Sequence, residues 1–338
     1  MRIGIPRETK PGELRIALIP EHVAVLARDG HDVRVASGAG GGIGHVDASF
    51  LDAGAQVVVA REAWDAELIV KVKEIQGEDL ANLAAGQALF CYHHLPGEPR
   101  RTRDLAAKGV TAIAFEMVRD AGGGFPLLAP MSAIAGRMAI EAATRHLGHA
   151  PREVLVLGAG HAGRAAERAA LECGARVTVL RRGTATPEAV ERAALAADLV
   201  VGAVFVPGAP TPKLLPRALV ARMRPGAMIA DISIDAGGVA ETSRPTTHAH
   251  PTYVEEGVIH YCVANMPGAY ARTATQALTN VTYRYLEMLA DHGLSEAINR
   301  QPALLSGVNV HDGKITYKPV AETFGLPYAD AKAALSLT

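Results

Sequence analysis

The sequence has little of what marks several large protein classes. It holds only three cysteines, Cys91, Cys173 and Cys262, widely separated and without a C-x-x-C pair. That spacing excludes a disulfide scaffold and a structural zinc site, and it fits a reducing compartment. Aromatic residues make up 4% of the chain, which leaves no obvious aromatic hot spot for an interface. No apolar run reaches the roughly 18 residues of a membrane span. The opening decapeptide MRIGIPRETK has no apolar signal core, so a cytoplasmic protein is expected. Excess charge is also missing: 34 Lys+Arg against 35 Asp+Glu leave a net charge of −1. A nucleic-acid binder working through a general basic field is therefore not expected. The 34 glycines and 20 prolines are dispersed, which argues against long disordered tracts. No ligand spacing points to a metal.

What is present is a large apolar fraction, 49% of 338 residues. That length suggests about two domains, each able to bury a core without covalent staples. Short apolar runs recur with Ala/Leu/Glu-rich stretches between them. The runs predict strands at 2–6, 32–36, 56–60, 68–73, 88–92 and 111–115, and then at 153–157, 176–180, 199–203, 228–232 and 259–263. Such alternation predicts an α/β chain of two Rossmann-like domains, each a parallel sheet covered by helices, with a cleft between them. Two longer helices read as connectors. One starts at Ser132 as N-cap and ends before Gly148; the other runs from about Thr275 to His292, before Gly293. The expected division is 1–128 plus 304–338 for one domain and 129–303 for the other.

The strongest local signal is Gly158-Ala159-Gly160-His161-Ala162-Gly163, which follows the run 153–157 and opens a helix. This is G-x-G-x-x-G in its strand–loop–helix setting. The first glycine permits the tight turn, the second admits a pyrophosphate, and the third lets helix and strand close up. The helix N-terminus then supplies free N–H groups to the phosphates. NAD sites of this kind usually place an acid at the end of the next strand, but Arg181 and Arg182 stand there instead. Either they pair with the 2′-phosphate of NADP, or Arg181 stacks on adenine while NAD binds.

Charged residues inside apolar runs supply the chemistry. Lys71 and Lys73 alternate with Val70 and Val72 at a strand end, and Arg15 interrupts an apolar stretch. Each is either a structural ion pair or part of a clamp for a small carboxylate. His93 and His94 follow the run 88–92 and should point to opposite faces, so one could act as a general acid/base. Asp231 and Asp235 follow the run 228–232, with Gly237-Gly238 just beyond. Asn265 places a neutral amide at another strand end.

Taken together, these residues resemble the alanine dehydrogenase family, relatives of the nucleotide-binding subunit of transhydrogenase. The resemblance runs from Met1 to about Leu326. It rests on RIGIPRETK at 2–10, LRIALIP at 14–20, KVKE at 71–74, PLLAPMS at 126–132, SRPTTH at 243–248 and YCVANMP at 261–267. It implies that Arg15 and Lys73 bind a 2-oxo acid, with Asn265 also in the substrate pocket. It implies that His94 and Asp235 are catalytic. Cofactor contacts fall to Ser132, the loop Gly158, Gly160, His161, Ala162 and Gly163, then Arg181 and Arg182. They continue through Ile232, Ser233, Ile234, Asp235 and Arg244 to Val263, Ala264, Asn265 and Met266. The implied reaction interconverts L-alanine with pyruvate and ammonium using NAD(P), in a homohexamer. Departures from the family pattern gather around the cofactor and pocket. Arg181 replaces the usual aspartate, Ala133 and Ala236 stand where glutamate and glutamine are common, and the stretches before Glu153 and after Arg182 are short.

Two rival readings stand beside this one. A related enzyme class condenses a 2-oxo acid with an amino-acid amine, as in N5-carboxyethylornithine synthases. A transhydrogenase-like module would bind nucleotide without catalysis, but it has no need of Arg15, Lys73, His94 and Asp235 together.

Overall fold

The computed structural model describes residues 1–337. They form two compact units: residues 1–128 together with those from Tyr270 onward, and Ala129–Ala269. The first unit opens with β1 (Arg2–Ile5), β2 (Asp32–Ala36), β3 (Gln56–Val58), β4 (Leu68–Val70), β5 (Ala88–Cys91) and β6 (Thr111–Ala114). The second contains β7 (Glu153–Leu157), β8 (Arg176–Leu180), β9 (Leu199–Gly202), β10 (Met228–Asp231), β11 (Thr252–Glu255) and β12 (Val258–Tyr261). After the chain returns come β13 (Val308–His311) and β14 (Lys314–Ile315).

The first unit holds an eight-stranded sheet in the order β14-β13-β6-β5-β4-β1-β2-β3. The second holds a six-stranded sheet in the order β11-β12-β10-β9-β7-β8. From β6 to β3 in the first, and from β12 to β8 in the second, all neighbours are parallel. Strands β4, β6, β9 and β10 are buried along their whole length, as strands covered on both faces should be. Strand order reverses between β1 and β4, and again between β7 and β9. Ligands bind at such switch points in α/β sheets, outside the carboxyl ends of the strands.

The sheets are not purely parallel. Strand β11 pairs antiparallel with β12, and β13 pairs antiparallel with both β6 and β14. The sequence reading omits these three strands. Strand β11 is an edge whose residues stay partly exposed, so it presents no apolar run. The β13–β14 hairpin did leave a signal: Val308-Asn309-Val310 alternates, and Asp312-Gly313 is a two-residue turn with both φ positive, at 43° and 76°.

The connector helices also differ from expectation. The first spans Ala129–Leu147, so Ser132 lies inside its first turn and caps nothing. Pro130 is tolerated there because a first-turn N–H has no partner in the helix. Gly148, at φ 76°, ends it as anticipated. The second helix spans Ala271–Arg300 and kinks at Gly293. It belongs to the first unit, so the boundary falls at Tyr270 and not near residue 304. Its contacts explain why: on its buried face Thr275 Oγ1 accepts the Ile16 N–H at 3.3 Å, and at the surface Asp291 meets His31 at 2.8 Å. Among the described residues, no helix is long and apolar enough to cross a membrane.

Candidate active site and dinucleotide cradle

In the first unit, the switch point gathers charge at the ends of β1 and β4. Glu8, just past β1, accepts the N–H groups of Val72 and Lys73 at 2.6 and 3.3 Å, tying the two strand ends together. Lys71 is fully buried and lies 3.5 Å from both Glu8 and Asp79, with its ammonium also over the Trp64 ring. Lys71 is therefore a structural ion pair. Lys73 has a different partner: its Nζ lies 3.2 Å from His94 Nε2 and over the face of Tyr92. Of the two lysines and two histidines, the structure brings Lys73 and His94 together. His93 turns the other way, fully buried, with Nε2 against Leu89 O at 3.2 Å and near Cys91. Burial pushes its pKa down to about 4, so it stays neutral.

Acids missed by the sequence reading hold this cluster. Glu13 takes Arg15 in a bidentate pair, with Nε at 2.7 Å and an Nη at 2.5 Å, and both side chains are buried. A guanidinium fixed along one edge in this way is preorganised for a planar carboxylate. Glu74 pairs with Lys10 at 2.6 Å. Burial alone would raise its pKa, but the charges of His94, Lys73 and Lys10 bring it down to about 2. Glu116, two residues past β6, accepts the backbone N–H of His94 at 2.6 Å and that of His93 at 3.2 Å. It thereby fixes His94 at φ 51°, a left-handed conformation that costs a non-glycine residue about 1–3 kcal/mol. A charged residue just beyond an apolar run was the available signal for Glu116, as it was for Lys73.

In the second unit, the glycine loop lies at the switch point between β7 and β9. Gly158 has φ 109°, and a Cβ there would overlap Ala203 O. A Cβ on Gly163 would overlap Gly158 O, so both glycines are required by the protein itself. Gly160 is different: a Cβ there would meet no protein atom within 4 Å. Gly160 also caps the helix His161–Glu172 without any side-chain hydrogen bond. An exposed glycine at a helix N-terminus, needed by no neighbour, fits the close approach of a pyrophosphate. Arg181 and Arg182 are exposed at the end of β8, and the Gly158 N–H donates to Leu180 O at 2.8 Å.

The remaining candidates of this unit sort by burial. Asp231 is fully buried and accepts from Ser233 N at 3.1 Å, Val239 N at 2.7 Å and Ser243 Oγ at 2.6 Å. It organises the loop beyond β10. Asp235 is exposed on that loop, in the turn Ile232–Ala236. Ser233 Oγ bonds both Val204 N and Val204 O, and the Ile234 side chain is buried, so both serve packing first. The exposed Arg244 guanidinium stacks on Tyr253 at 3.6 Å. Val263 and Met266 are core residues, so only their backbone is open to a ligand; Asn265 sits between them at φ 59°. Ser132 is half-buried in the first turn of its helix. Among the described residues, no group of three or more His, Cys, Asp or Glu could hold a metal.

A glycine cradle at the switch point of one parallel sheet, and a lysine–histidine pair at strand ends of another, define the class: a dinucleotide-binding dehydrogenase-like α/β protein. The family is narrower. The N-terminal domain of alanine dehydrogenase/PNT matches residues 4–135, and its C-terminal domain matches residues 181–318. The chain belongs to the alanine dehydrogenase/PNT family. Alanine dehydrogenase of Halomonas elongata is 46% identical over 99% of this chain and 100% of its own. That of Mycobacterium tuberculosis is 43% identical over 99% and 100%. A solved L-alanine dehydrogenase superposes with TM-score 0.87 at 38% identity, covering 96% of this chain and 99% of that one. The transhydrogenase of Sinorhizobium meliloti, 23% identical with TM-score 0.80 over 94% and 99%, shares the fold.

Proposed function

We propose that the protein is an NAD(P)-dependent alanine dehydrogenase that interconverts L-alanine with pyruvate and ammonium. The observation that carries this reading is the Lys73–His94 contact, 3.2 Å, in a cluster that also offers buried Arg15 held ready by Glu13. Arg15 binds the substrate carboxylate and Lys73 the 2-oxo group, and the family resemblance gives Asn265 as a further substrate contact. His94 moves the protons of carbonyl addition and imine formation. Asp235 orients water or ammonia and stabilises the cationic iminium. The unit 1–128 with the chain from Tyr270 onward is then the substrate unit, and Ala129–Ala269 the dinucleotide unit.

The residues of the glycine cradle fit a pyridine nucleotide, which when bound would supply or accept the hydride. Gly158, Gly160, His161, Ala162 and Gly163 would hold its pyrophosphate. Ser132, the segment Ile232–Asp235, Arg244 and the backbone of 263–266 would line the rest. Arg181 and Arg182 favour NADP over NAD. We further propose a cytoplasmic homohexamer, on the strength of the family resemblance.

The test is absorbance of the reduced nicotinamide with pyruvate and ammonium, NADPH and NADH in parallel, omitting each substrate in turn. Turnover that requires ammonium supports the reading. Turnover only when ornithine or lysine replaces ammonium would give the site to reductive condensation instead. In the same assay Arg181→Asp should raise the KM for NADPH about tenfold to a hundredfold, the loss of a charge-assisted bond of about 1.5–3 kcal/mol. It should leave the KM for NADH unchanged or lower. Equal KM values for NADPH in the two proteins would remove Arg181 from the 2′-phosphate.

A further inference from the structure

The loop that carries Asp235 is gripped from two sides. Inside, the buried Asp231 carboxylate takes the N–H groups of Ser233 and Val239 and the hydroxyl of Ser243. Outside runs a strap, residues 211–215, with its own ladder to the same loop. Thr211 N donates to Ala236 O at 2.8 Å, Leu214 N to Val239 O at 2.8 Å, and Glu241 N to Leu215 O at 3.0 Å. Lys213 stands in the middle of that strap. Its ammonium donates to the carbonyls of Gly237, of Gly238 at 3.0 Å and of Ala240 at 2.9 Å.

Three donors meet three acceptors, the full capacity of a lysine. The arrangement has a physical cause. Gly237 and Gly238 both hold positive φ, 99° and 78°, a pair of conformations open to glycine. The turn they form converges three carbonyl oxygens, whose negative ends repel one another unless a cation sits among them. No carboxylate is needed there; the lysine itself closes the turn.

We propose that Lys213 is a positioning residue for Asp235: its ammonium locks the Gly237-Gly238 turn, and so fixes the loop from which Asp235 acts. This rests on the catalytic role proposed above for Asp235. Lys213 is not among the residues proposed above to bind the substrate, so its removal should act on kcat and spare substrate affinity.

The experiment measures L-alanine deamination by the full chain, where added amines are not substrates. Lys213→Met should lower kcat at least about tenfold, in the range expected when a catalytic group is misplaced by about 1 Å, with the KM for alanine within about twofold. Lys213→Ala should lose as much, and n-propylamine, which restores the missing propylammonium, should recover several-fold of it. Asp235→Asn, assayed beside them, reports on the underlying reading. If Asp235→Asn is inactive while Lys213→Met is fully active, the positioning role is wrong and the role of Asp235 stands. If Asp235→Asn turns over like the parent, the catalytic reading falls and the positioning role with it. A loss in Lys213→Ala that no amine recovers, accompanied by a lower unfolding temperature, would reduce Lys213 to a structural residue and overturn the proposal. A KM rise as large as the kcat fall would do the same.

Discussion

His94→Ala should lower kcat for pyruvate amination by about 10²–10⁴-fold, the usual span for a general acid/base, while the KM for pyruvate changes little. The contact at 3.2 Å between Lys73 Nζ and His94 Nε2 sets the chemistry. An ammonium has only donors, so in the neutral form of the ring Nε2 is the acceptor there and the ring proton belongs on Nδ1. That is the tautomer of a base ready to take a proton where Lys73 would polarise a carbonyl. The backbone must be separated from the ring in this test, because His94 holds φ 51°. Asparagine tolerates the left-handed region well, so His94→Asn keeps the turn and loses the imidazole. Both variants should be equally inactive in steady-state assays of the reduced nicotinamide. Full turnover in either would sink the proposed mechanism; activity in His94→Asn alone would mean that the turn, not the ring, is what matters.

How much of this was readable beforehand depends on the range of each interaction. The parallel strands were legible because they are short apolar runs, the inner ones β4, β6, β9 and β10 buried along their whole length, and the glycine loop because its spacing is local. The partners were not. Lys73 and His94 are 21 residues apart and meet because β4 and β5 are neighbours in register, Val70 opposite Phe90. Each side chain lies a few residues past its own strand, and no local pattern states which strands are adjacent. For the same reason local pattern alone leaves His93 and His94, or Lys71 and Lys73, as equal candidates, and the family resemblance is what selects His94 and Lys73. Glu13, Glu74 and Glu116 went unseen because an acid near a strand end reads as a solvated charge until the fold buries it. The burial of Asp231 was not legible either: Gly202 and Gly238 leave room around it, where a Cβ would crowd its carboxylate. The return boundary was missed because helix 271–300 has an amphipathic face that fits either unit in principle. Contacts such as Thr275 with Ile16, 259 residues apart, decide the matter.

The second large effect concerns stability and pH, and it comes from two acids of the cluster with opposite signs. Burial pushes the Glu116 carboxyl up to about 7, against the N–H groups of its own backbone, His94 and His93 and the charge of Lys73. A folded-state pKa above the ordinary value of 4.5 means that the folded chain holds this proton more firmly than the unfolded one. The stabilisation is complete below pH 4.5 and is lost as pH rises through 7, a change of about 3 kcal/mol across that window. Glu74 runs the other way: held at about 2, it stabilises above pH 4.5 and loses that contribution as pH falls toward 2. Chemical denaturation from pH 3 to 8 should therefore show Glu116→Gln gaining on the parent as pH rises from 4.5 to 7, by up to about 3 kcal/mol. Glu74→Gln should lose its deficit only below pH 4.5. A Glu116→Gln difference that stays flat between pH 4.5 and 7 would show that the carboxyl does not titrate there. The same ionisation bears on turnover. As Glu116 ionises, the N–H of His94 gains a charged acceptor at 2.6 Å, and a hydrogen bond to a charged group is worth roughly twice a neutral one. The left-handed turn that presents His94 to Lys73 should tighten as pH passes 7. Part of the rise in kcat on the acid side of the profile should then vanish in Glu116→Gln, whose amide oxygen accepts the same N–H groups without changing charge.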